Sequence, residues 1–348
     1  HNLHLFANPI DKFRPSDKEI QRALKKKKGS NLIYFGPGVH NLPNDTLFVP
    51  SGTTVYIDGG ARVYGNIFTE GAHDVNIFGR GEVHPDGRGA GVWVRRSKNV
   101  RIDGIVVSQL PIGQCDSVEL TNVKSISYYG WGDGMDVFSS SNVILDGVFC
   151  RNSDDCAAVY ASTQGFKGGS NNVLVKNATL WADVAHPINI GGHGDPNGMD
   201  TVQNVTFRNI DILDQAEKQI DYQGCLAINP GDNTLVRNIT FENIRIEDFR
   251  NGQLVNFRIS FNPKYCVSTG RGIQNVLVKD VTYNGSGENL SIIAGYDENH
   301  KISGIRFVNL VVNGRKITDD MPGKPKWYKT GDMAGIFVGE HVENLSFE

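Results

Sequence analysis

One short pattern recurs along the chain and constrains its fold more than any other feature. It reads as a polar residue, Val or Ile, any residue, an apolar residue, any residue, and Gly, Asn or Asp, as in DVNIFGR, NVILDGV and NITFENI. Successive copies begin at irregular intervals, from 18 residues (Asn99 to Ser117) to 40 residues (Gly304 to Asn344). The ten copies begin at Asp74, Asn99, Ser117, Asn142, Asn172, Asn204, Asn238, Asn275, Gly304 and Asn344.

The alternation of polar and apolar residues within each copy predicts a β-strand, and the irregular intervals predict connecting loops of variable length. A propeller or a helical repeat would keep a tighter period. We therefore predict an all-β fold, a single-stranded parallel β-helix of about ten coils with inward Val, Ile and Phe. The recurring Asn is expected to take the left-handed backbone conformation at a corner and to stack its side-chain amide. A β-sandwich with coincidental repeats is the alternative.

The residues before the first repeat predict a short helix that caps the open end of the solenoid. Ser16 and Glu19 have the spacing of a capping box, and an apolar stripe follows. Gly29 is placed to end the helix, and the lysines from Lys25 to Lys28 suit the negative end of its dipole. The stripe consists of Ile20, Ala23 and Leu24.

Charge and composition exclude several classes of partner. The chain has 35 Lys and Arg against 38 Asp and Glu, a net charge of −3, so we expect no nucleic-acid partner. No apolar run approaches the roughly 20 residues that cross a bilayer, so we expect no membrane partner. Five Cys are too few for a disulfide scaffold and odd in number. We expect a monomer.

Reactive side chains recur one coil apart, beyond the first strand of their coils. Asp133 lies in GWGDGMD, Asp154 and Asp155 lie one coil later in RNSDDCAAVY, and His186 and His193 lie in the next coil, in WADVAHPINIGGHG. Stacked coils should bring them together. Three clustered carboxylates repel, so at least one should hold a proton near neutrality, as glycoside hydrolysis requires. An inverting pair should stand about 6.5 to 9.5 Å apart. A Ca²⁺ site built from the same aspartates is the alternative.

Aromatic residues around these carboxylates indicate a carbohydrate groove, because the apolar faces of sugars pack on aromatic rings. Neighbouring strand residues point to opposite faces, so Asp154 and Asp155 can share the groove only if the chain turns at Asn152 and Ser153. The candidate substrate-binding residues are His186, His193, Tyr129, Trp131, Tyr160, Trp181 and Lys218.

The succession GDGMD, NSDDC and HPINIGGHG resembles the polygalacturonase family of right-handed parallel β-helix hydrolases. Asp133 matches the aspartate of the family's Asn-Thr-Asp-Gly motif, and Asp154 and Asp155 match its Asp-Asp-Cys motif. His193 is the literal match to the Gly-His-Gly motif, while His186 lies nearer the aspartates in sequence. Pectin hydrolases also carry Arg-Ile-Lys in the following coil, where this chain reads DYQGCLAINP without a basic pair. In this respect the chain is more similar to the dextranase and isopullulanase family, which acts on neutral α-glucans.

The resemblance implies a right-handed β-helix and an inverting glycoside hydrolase that uses no metal or other cofactor on a neutral, α-glucan-like polysaccharide or oligosaccharide. It implies that Asp154 is the general acid and that Asp133 and Asp155 activate water. Residues 1–30 would form a linker and capping helix, and residues 31–348 the catalytic β-helix of a secreted or periplasmic protein, with an N-terminal β-sandwich missing. The alternatives are a uronan-active polygalacturonase-like hydrolase, a polysaccharide lyase, and a glycan-binding solenoid without turnover.

Overall fold

The computed structural model describes residues 3–25, 30–287 and 289–348. Within them the chain forms a right-handed parallel β-helix. The helices are α1 (Asp17–Leu24), a 3₁₀ turn (Ile220–Tyr222) and α2 (Thr330–Met333). The first fourteen strands are β1 (Leu32–Phe35), β2 (Gly38–Phe48), β3 (Thr54–Ile57), β4 (Ala61–Glu70), β5 (His73–Gly79), β6 (Glu82–His84), β7 (Val92–Arg95), β8 (Lys98–Asp103), β9 (Val106–Val107), β10 (Ile112–Gly113), β11 (Asp116–Thr121), β12 (Lys124–Ile126), β13 (Val137–Phe138) and β14 (Ser141–Asp146). The others are β15 (Phe149–Asn152), β16 (Ala157–Tyr160), β17 (Ser170–Ala182), β18 (Ile188–Ile190), β19 (Thr201–Asp214), β20 (Leu226–Ile228), β21 (Leu235–Ile246), β22 (Val255–Arg258), β23 (Gly272–Tyr283), β24 (Ser291–Ala294), β25 (Ile302–Val312), β26 (Arg315–Ile317), β27 (Ile336–Val338) and β28 (Val342–Phe347).

The strands stack in three parallel ladders. The repeat ladder contains β1, β3, β5, β8, β11, β14, β17, β19, β21, β23, β25 and β28. The groove ladder contains β2, β4, β7, β10, β13, β16, β18, β20, β22, β24 and β27. A third ladder runs from β4 through β6, β9, β12 and β15, and joins the second half of β17. The short β26 is antiparallel to β25.

The repeat ladder confirms the predicted fold. The ten sequence copies occupy its ten successive strands from β5 to β28. The first residue of each non-glycine copy has φ between 53° and 60°, the left-handed region that Asn tolerates well. Side-chain amides also hydrogen-bond between coils, with Asn172 Nδ2 donating to Asn142 Oδ1 at 2.7 Å and Asn238 Nδ2 to Asn204 Oδ1 at 3.2 Å.

Inward side chains of the repeat ladder stack into continuous apolar columns. One column lies in strict register through consecutive coils, and all its members are buried. Every member of this column is apolar, which avoids the free-energy cost of burying an unpaired polar group there. The column consists of Val55, Ile77, Ile102, Leu120, Leu145, Val175, Phe207, Phe241, Val278, Phe307 and Phe347.

Helix α1 begins as the sequence predicts. The Ser16 N–H donates to Glu19 Oε2 at 2.8 Å, and the Glu19 N–H donates to Ser16 Oγ at 3.4 Å, which completes the capping box. Ile20 is buried, and α1 packs against β1 at the first coil. The predicted stop at Gly29 and the lysines at 26–28 lie outside the described residues. Among the described residues, no helix has the length and apolar character needed to cross a membrane.

Candidate active site

The candidate site lies where three consecutive coils enter the groove ladder. The Gly134 N–H donates to the Asp155 carbonyl at 2.7 Å, and the Cys156 N–H donates to the His186 carbonyl at 2.9 Å. These bonds place Asp133, Asp155 and His186 in neighbouring coils just before β13, β16 and β18. Backbone hydrogen bonds between stacked coils thus bring these residues together, as expected from the sequence.

The chain bends at Ser153 and Asp154, one residue beyond the turn predicted at Asn152 and Ser153. Asp154 Oδ1 accepts the N–H of Asp155 at 3.1 Å, which folds the Asp154 side chain back beside its neighbour. Asp133, Asp154 and Asp155 each present a carboxylate oxygen within 4.8 Å of the others. The nearest oxygens of the three carboxylates therefore lie closer together than the separation of 6.5 to 9.5 Å expected for an inverting pair. Neighbouring coils lie about 4.8 Å apart, so side chains that point the same way from them lie close together.

Asp155 is 2% exposed, and hydrogen-bond donors surround both of its oxygens. Its Oδ1 bonds His186 Nδ1 at 2.7 Å and also accepts the His186 backbone N–H at 3.1 Å. Its Oδ2 accepts from Tyr160 Oη at 2.6 Å, Asn189 Nδ2 at 2.9 Å and Tyr222 Oη at 3.3 Å. A carboxylate has about four lone-pair sites, so these five donors saturate it.

The three carboxyl groups differ in their tendency to hold a proton. Burial alone would raise the pKa of Asp155, but attraction to His186 and the hydrogen bonds from His186, Tyr160 and Asn189 outweigh it and leave the pKa below its ordinary value. Burial, with repulsion from Asp155, raises the pKa of Asp154 to about 7. Burial, with repulsion from Asp154 and Asp155, raises the pKa of Asp133 well above its ordinary value. Near neutrality Asp155 is therefore the fixed negative charge, and the Asp133–Asp154 pair can hold a proton.

A cavity of about 510 Å³ opens over these carboxylates. Three of the predicted substrate-binding residues line it, namely Trp131, Tyr160 and His193. Trp131 is 77% exposed and so offers a ring face to a ligand, while Tyr160 is nearly buried and bonds Asp155. The Trp131 ring is therefore available for stacking, whereas Tyr160 supports the Asp155 carboxylate by a hydrogen bond.

The other four predicted substrate-binding residues do not line this cavity. His186 is fully buried beneath Asp155, so its assignment to substrate contact is wrong and it positions the carboxylate instead. Tyr129 bonds the Gly89 carbonyl and approaches Gln109 Nε2 at 3.3 Å. Trp181 stacks with the Arg151 guanidinium at 4.1 Å on the third-ladder side of its coil. Lys218 is exposed, between two residues that do line the cavity.

Sequence reasoning missed several residues that line the cavity. Asp136 belongs to the same GDGMD segment as Asp133, and burial, with repulsion from Asp133, raises its pKa well above the ordinary value. Five more lining residues lie one and two coils beyond His186. A search for reactive residues in these later coils would have found them. They are Glu217, Gln219, Tyr222, Lys264 and Tyr265.

The spacing of Asp133, Asp154 and Asp155 is compatible with a bound cation as well as with acid–base chemistry, because each offers one oxygen within 4.8 Å of the others. The Asp155 oxygens are already saturated, however, which leaves it a poor additional ligand. Metal-free action of this cluster therefore stays a prediction.

Comparison with known proteins identifies relatives in sequence. The model of the family described as glycosyl hydrolases family 28 matches residues 91–321. A polygalacturonase of Juniperus ashei is 26% identical over 295 residues, which cover 75% of this chain and 54% of the relative. The chain thus spans about half the length of the curated relatives that it matches.

Solved structures show the same fold at low sequence identity. A family 28 exopolygalacturonase from Yersinia enterocolitica superposes with a TM-score of 0.70 at 14% identity, covering 94% of this chain and 74% of that one. Dex49A from Penicillium minioluteum superposes with a TM-score of 0.62 at 14% identity, covering 92% of this chain and 60% of that one. These likenesses support the right-handed β-helix.

Proposed function

Because this chain belongs to glycosyl hydrolases family 28, we propose that it hydrolyses glycosidic bonds of a polysaccharide or oligosaccharide in the cavity above Asp133, Asp154 and Asp155. The observation that carries the proposal is the division of protonation states among three carboxyl groups within 4.8 Å of one another. Glycoside hydrolysis needs a proton for the leaving oxygen and a negative charge beside the oxocarbenium-like centre, and this cluster supplies both.

Asp154 is the general acid. Its pKa of about 7 keeps a useful fraction protonated near neutrality, and it lines the cavity. Once Asp154 holds the shared proton, Asp133 can be ionised and accept a proton from water. Asp155 also carries negative charge, but its oxygens are saturated, so it stabilises positive charge at the sugar and positions its neighbours without taking up a proton.

We propose that the anomeric centre is inverted. A retaining mechanism needs a carboxylate oxygen that is free to bond the sugar, and the hydrogen bonds of Asp155 disfavour that role for Asp155. We assign Asp133 to activate the water that attacks the sugar. Proton NMR of the first product, recorded before mutarotation, should show the configuration opposite to that of the bond cleaved. A product of unchanged configuration would identify Asp133 as a covalent nucleophile and overturn this assignment.

The charge of the cavity favours a neutral glycan. Five carboxyl groups line it, whereas Lys264 is its single Lys or Arg in the described part of the chain, and the Lys264 ammonium already contacts Gln219 Oε1 at 3.2 Å and the Tyr265 ring at 4.7 Å. The coil that follows His186 enters the ladder with Leu226, Ala227 and Ile228, all buried and uncharged. A polyuronate would bring one carboxylate per sugar next to the negative charge of Asp155 and the one negative charge that the Asp133–Asp154 pair keeps when it holds a proton, and like charges repel. The carboxyl groups are Asp133, Asp136, Asp154, Asp155 and Glu217.

Hydrolysis rates on a linear neutral α-glucan and on polygalacturonate, measured as new reducing ends at equal chain length, test the choice. We expect the neutral glucan to be cleaved faster, and Asp154→Asn to abolish both activities, which excludes a contaminating enzyme. Faster cleavage of polygalacturonate would overturn the neutral-substrate proposal while leaving the hydrolase proposal intact.

A uronan substrate is the second candidate, because the curated relatives include polygalacturonases and Lys264 can meet a carboxylate at the cavity wall. Under this alternative, Lys264→Gln would raise the KM for polygalacturonate about tenfold or more and leave cleavage of neutral glycans unchanged. Products that absorb as unsaturated uronates would indicate elimination and hence a lyase. Binding of both glycans without release of product would indicate a glycan-binding solenoid.

A further inference from the structure

A second cluster of reactive side chains lies beside the groove, and the hydrolysis described above assigns no chemical step to any of its members, although His193 also lines the cavity. His193 follows β18, Asp232 follows β20 and Cys266 follows β22, so three consecutive coils each contribute one residue at the same corner. Each offers one potential ligand atom, and these atoms lie within 4.8 Å of one another. The backbone pairs these loops, since the Asp232 N–H donates to the Ser268 carbonyl at 2.9 Å.

The surroundings of Asp232 leave one of its oxygens available. Asp232 is buried, and Oδ1 accepts the backbone N–H groups of Val267 at 2.7 Å and Ser268 at 3.2 Å. Both of these bonds go to Oδ1, and in the described part of the chain Oδ2 accepts no side-chain hydrogen bond. An oxygen of a largely buried carboxylate is well placed to take a positive partner.

Cys266 is held where a ligand sulfur would have to lie. Its Sγ donates to the Gly192 carbonyl at 3.3 Å and occupies the space in which a Cβ on Gly231 would approach to 2.2 Å. Burial, with repulsion from Asp232, raises the pKa of the thiol to about 12. The position of Sγ places a potential ligand sulfur within 4.8 Å of a carboxylate oxygen and an imidazole nitrogen.

His193 completes the cluster with an imidazole, one nitrogen of which lies within 4.8 Å of the Asp232 and Cys266 ligand atoms. A neutral imidazole, a carboxylate and a thiolate are the donors that zinc prefers, and around a tetrahedral zinc they would lie about 3.5 Å apart. Side-chain movements on the order of 1 Å would close the observed arrangement to that distance.

We propose that His193, Asp232 and Cys266 bind one zinc-type divalent cation beside the groove. On binding, the Cys266 thiol releases its proton to solvent and the sulfur turns from the Gly192 carbonyl to the metal. Without a cation, Asp232 and a Cys266 thiolate would repel each other. A bound cation would attract both of them. It would also join three loops, of which two carry groove residues, His193 itself and Tyr265 beside Cys266.

Cobalt substitution gives a direct test, because Co²⁺ bound to thiolate has an intense near-ultraviolet charge-transfer band. Tag-free protein is stripped of metal with a chelator and titrated with Co²⁺ and then Zn²⁺. We expect the band to saturate at one Co²⁺ per chain and Zn²⁺ to displace it. Cys266→Ser should abolish the band, and Asp232→Asn should weaken binding about tenfold or more. His300→Gln is the matched control, since His300 forms a His–Asp pair with Asp297 but has no thiol nearby.

Alkylation of Cys266 provides a second readout that needs no variant. Cys115, Cys150, Cys156 and Cys225 are buried, whereas Cys266 is partly exposed, so the native protein should react at Cys266 first. Saturating Zn²⁺ should slow this alkylation about tenfold or more. The same protection is expected in Asp154→Asn, which alters the catalytic carboxylates and therefore tests whether Zn²⁺ acts at the second cluster. A Co²⁺ complex without the thiolate band, or alkylation unaffected by Zn²⁺ in folded wild-type protein, would overturn the proposal.

Discussion

The repeat ladder and the entrance to the groove ladder are built by the same stacking of coils but use it in opposite ways. In the repeat ladder, positions that stack on one another in successive coils carry similar residues: Asn at the corner, and Val, Ile, Leu or Phe at the inward positions. At the groove entrance, the backbone pairs Asp133 with Asp155 and then His186, three positions with different chemistry. Repetition therefore specifies the fold, and departure from repetition specifies the site.

The two regions also differ in how their polar groups are stabilised. Ladder amides are exposed and bond one another between coils at 2.7 to 3.3 Å. The carboxylates of the groove are largely buried, and burial together with mutual repulsion raises the pKa of Asp133 and Asp154. Active sites commonly store such electrostatic destabilisation, and substitutions there can stabilise the protein while they abolish activity.

The largest expected effect is on catalysis by Asp154. Asp154→Asn should lower kcat by about 10²- to 10⁴-fold, because it removes the proton donor and keeps the side-chain shape. Steady-state rates on the identified substrate measure this. Asp146→Asn is the matched control from the repeat ladder, where Asp146 accepts the amide of Asn177 at 2.7 Å, and it should leave kcat unchanged. Near-native turnover by folded Asp154→Asn would refute the site assignment.

The same substitution should alter the pH dependence of stability. The folded pKa of Asp154 is about 7 against an ordinary 3.8, so its contribution is fully present below pH 3.8 and is lost as the pH rises through 7. Asp154→Asn has no carboxyl group to ionise at this position, so its free energy of unfolding should not fall in this pH range for this reason. The variant should be more stable than wild type at pH 8, by up to about 4 kcal/mol, and should lose that advantage at pH 4. Urea unfolding at the two pH values checks the sign, and an equal difference at both would contradict it.

Loss of the His186 side chain should weaken the charge of Asp155. His186→Gln is expected to lower kcat roughly 10²-fold and to move the acid limb of the pH–rate profile to higher pH, because His186 holds the pKa of Asp155 low. Tyr222→Phe removes only the longest of the contacts, at 3.3 Å, and should shift that limb less. A drop in kcat with an unmoved acid limb would mean that His186 acts through folding alone.

The smallest effect should come from the repeat ladder. Asn204 has φ of 55°, donates to Asn171 Oδ1 at 2.8 Å and accepts from Asn238 at 3.2 Å. Asn204→Ala should destabilise the fold by about 1–2 kcal/mol, because alanine tolerates the left-handed backbone poorly. Asn204→Gly, which tolerates it, should cost less. Both should keep the wild-type kcat, and a loss of turnover in either would show that the two regions are coupled.

Much of this molecule followed from local patterns in the chain. The alternating repeats, the Asn corners and the Ser16–Glu19 capping box each depend on residues close in sequence, and each appears in the structure as predicted. The clustering of Asp133, Asp154 and Asp155 was also predictable, since stacking converts a separation of one coil into spatial contact.

The distances and protonation states within the site depended on tertiary structure. The spacing of the carboxylates is set by the separation of neighbouring coils, which no local pattern reveals. Trp181 and Lys218 were assigned to the groove from their positions in sequence. Trp181 instead lies in β17, on the third-ladder side of its coil, and Lys218 is exposed, whereas Tyr222 and Lys264 from later coils line the cavity. The sequence by itself determined the β-helix and its reactive residues, because these depend on periodicity. Only the tertiary structure decided which side chains face one another, because loop conformation and burial depend on contacts between coils.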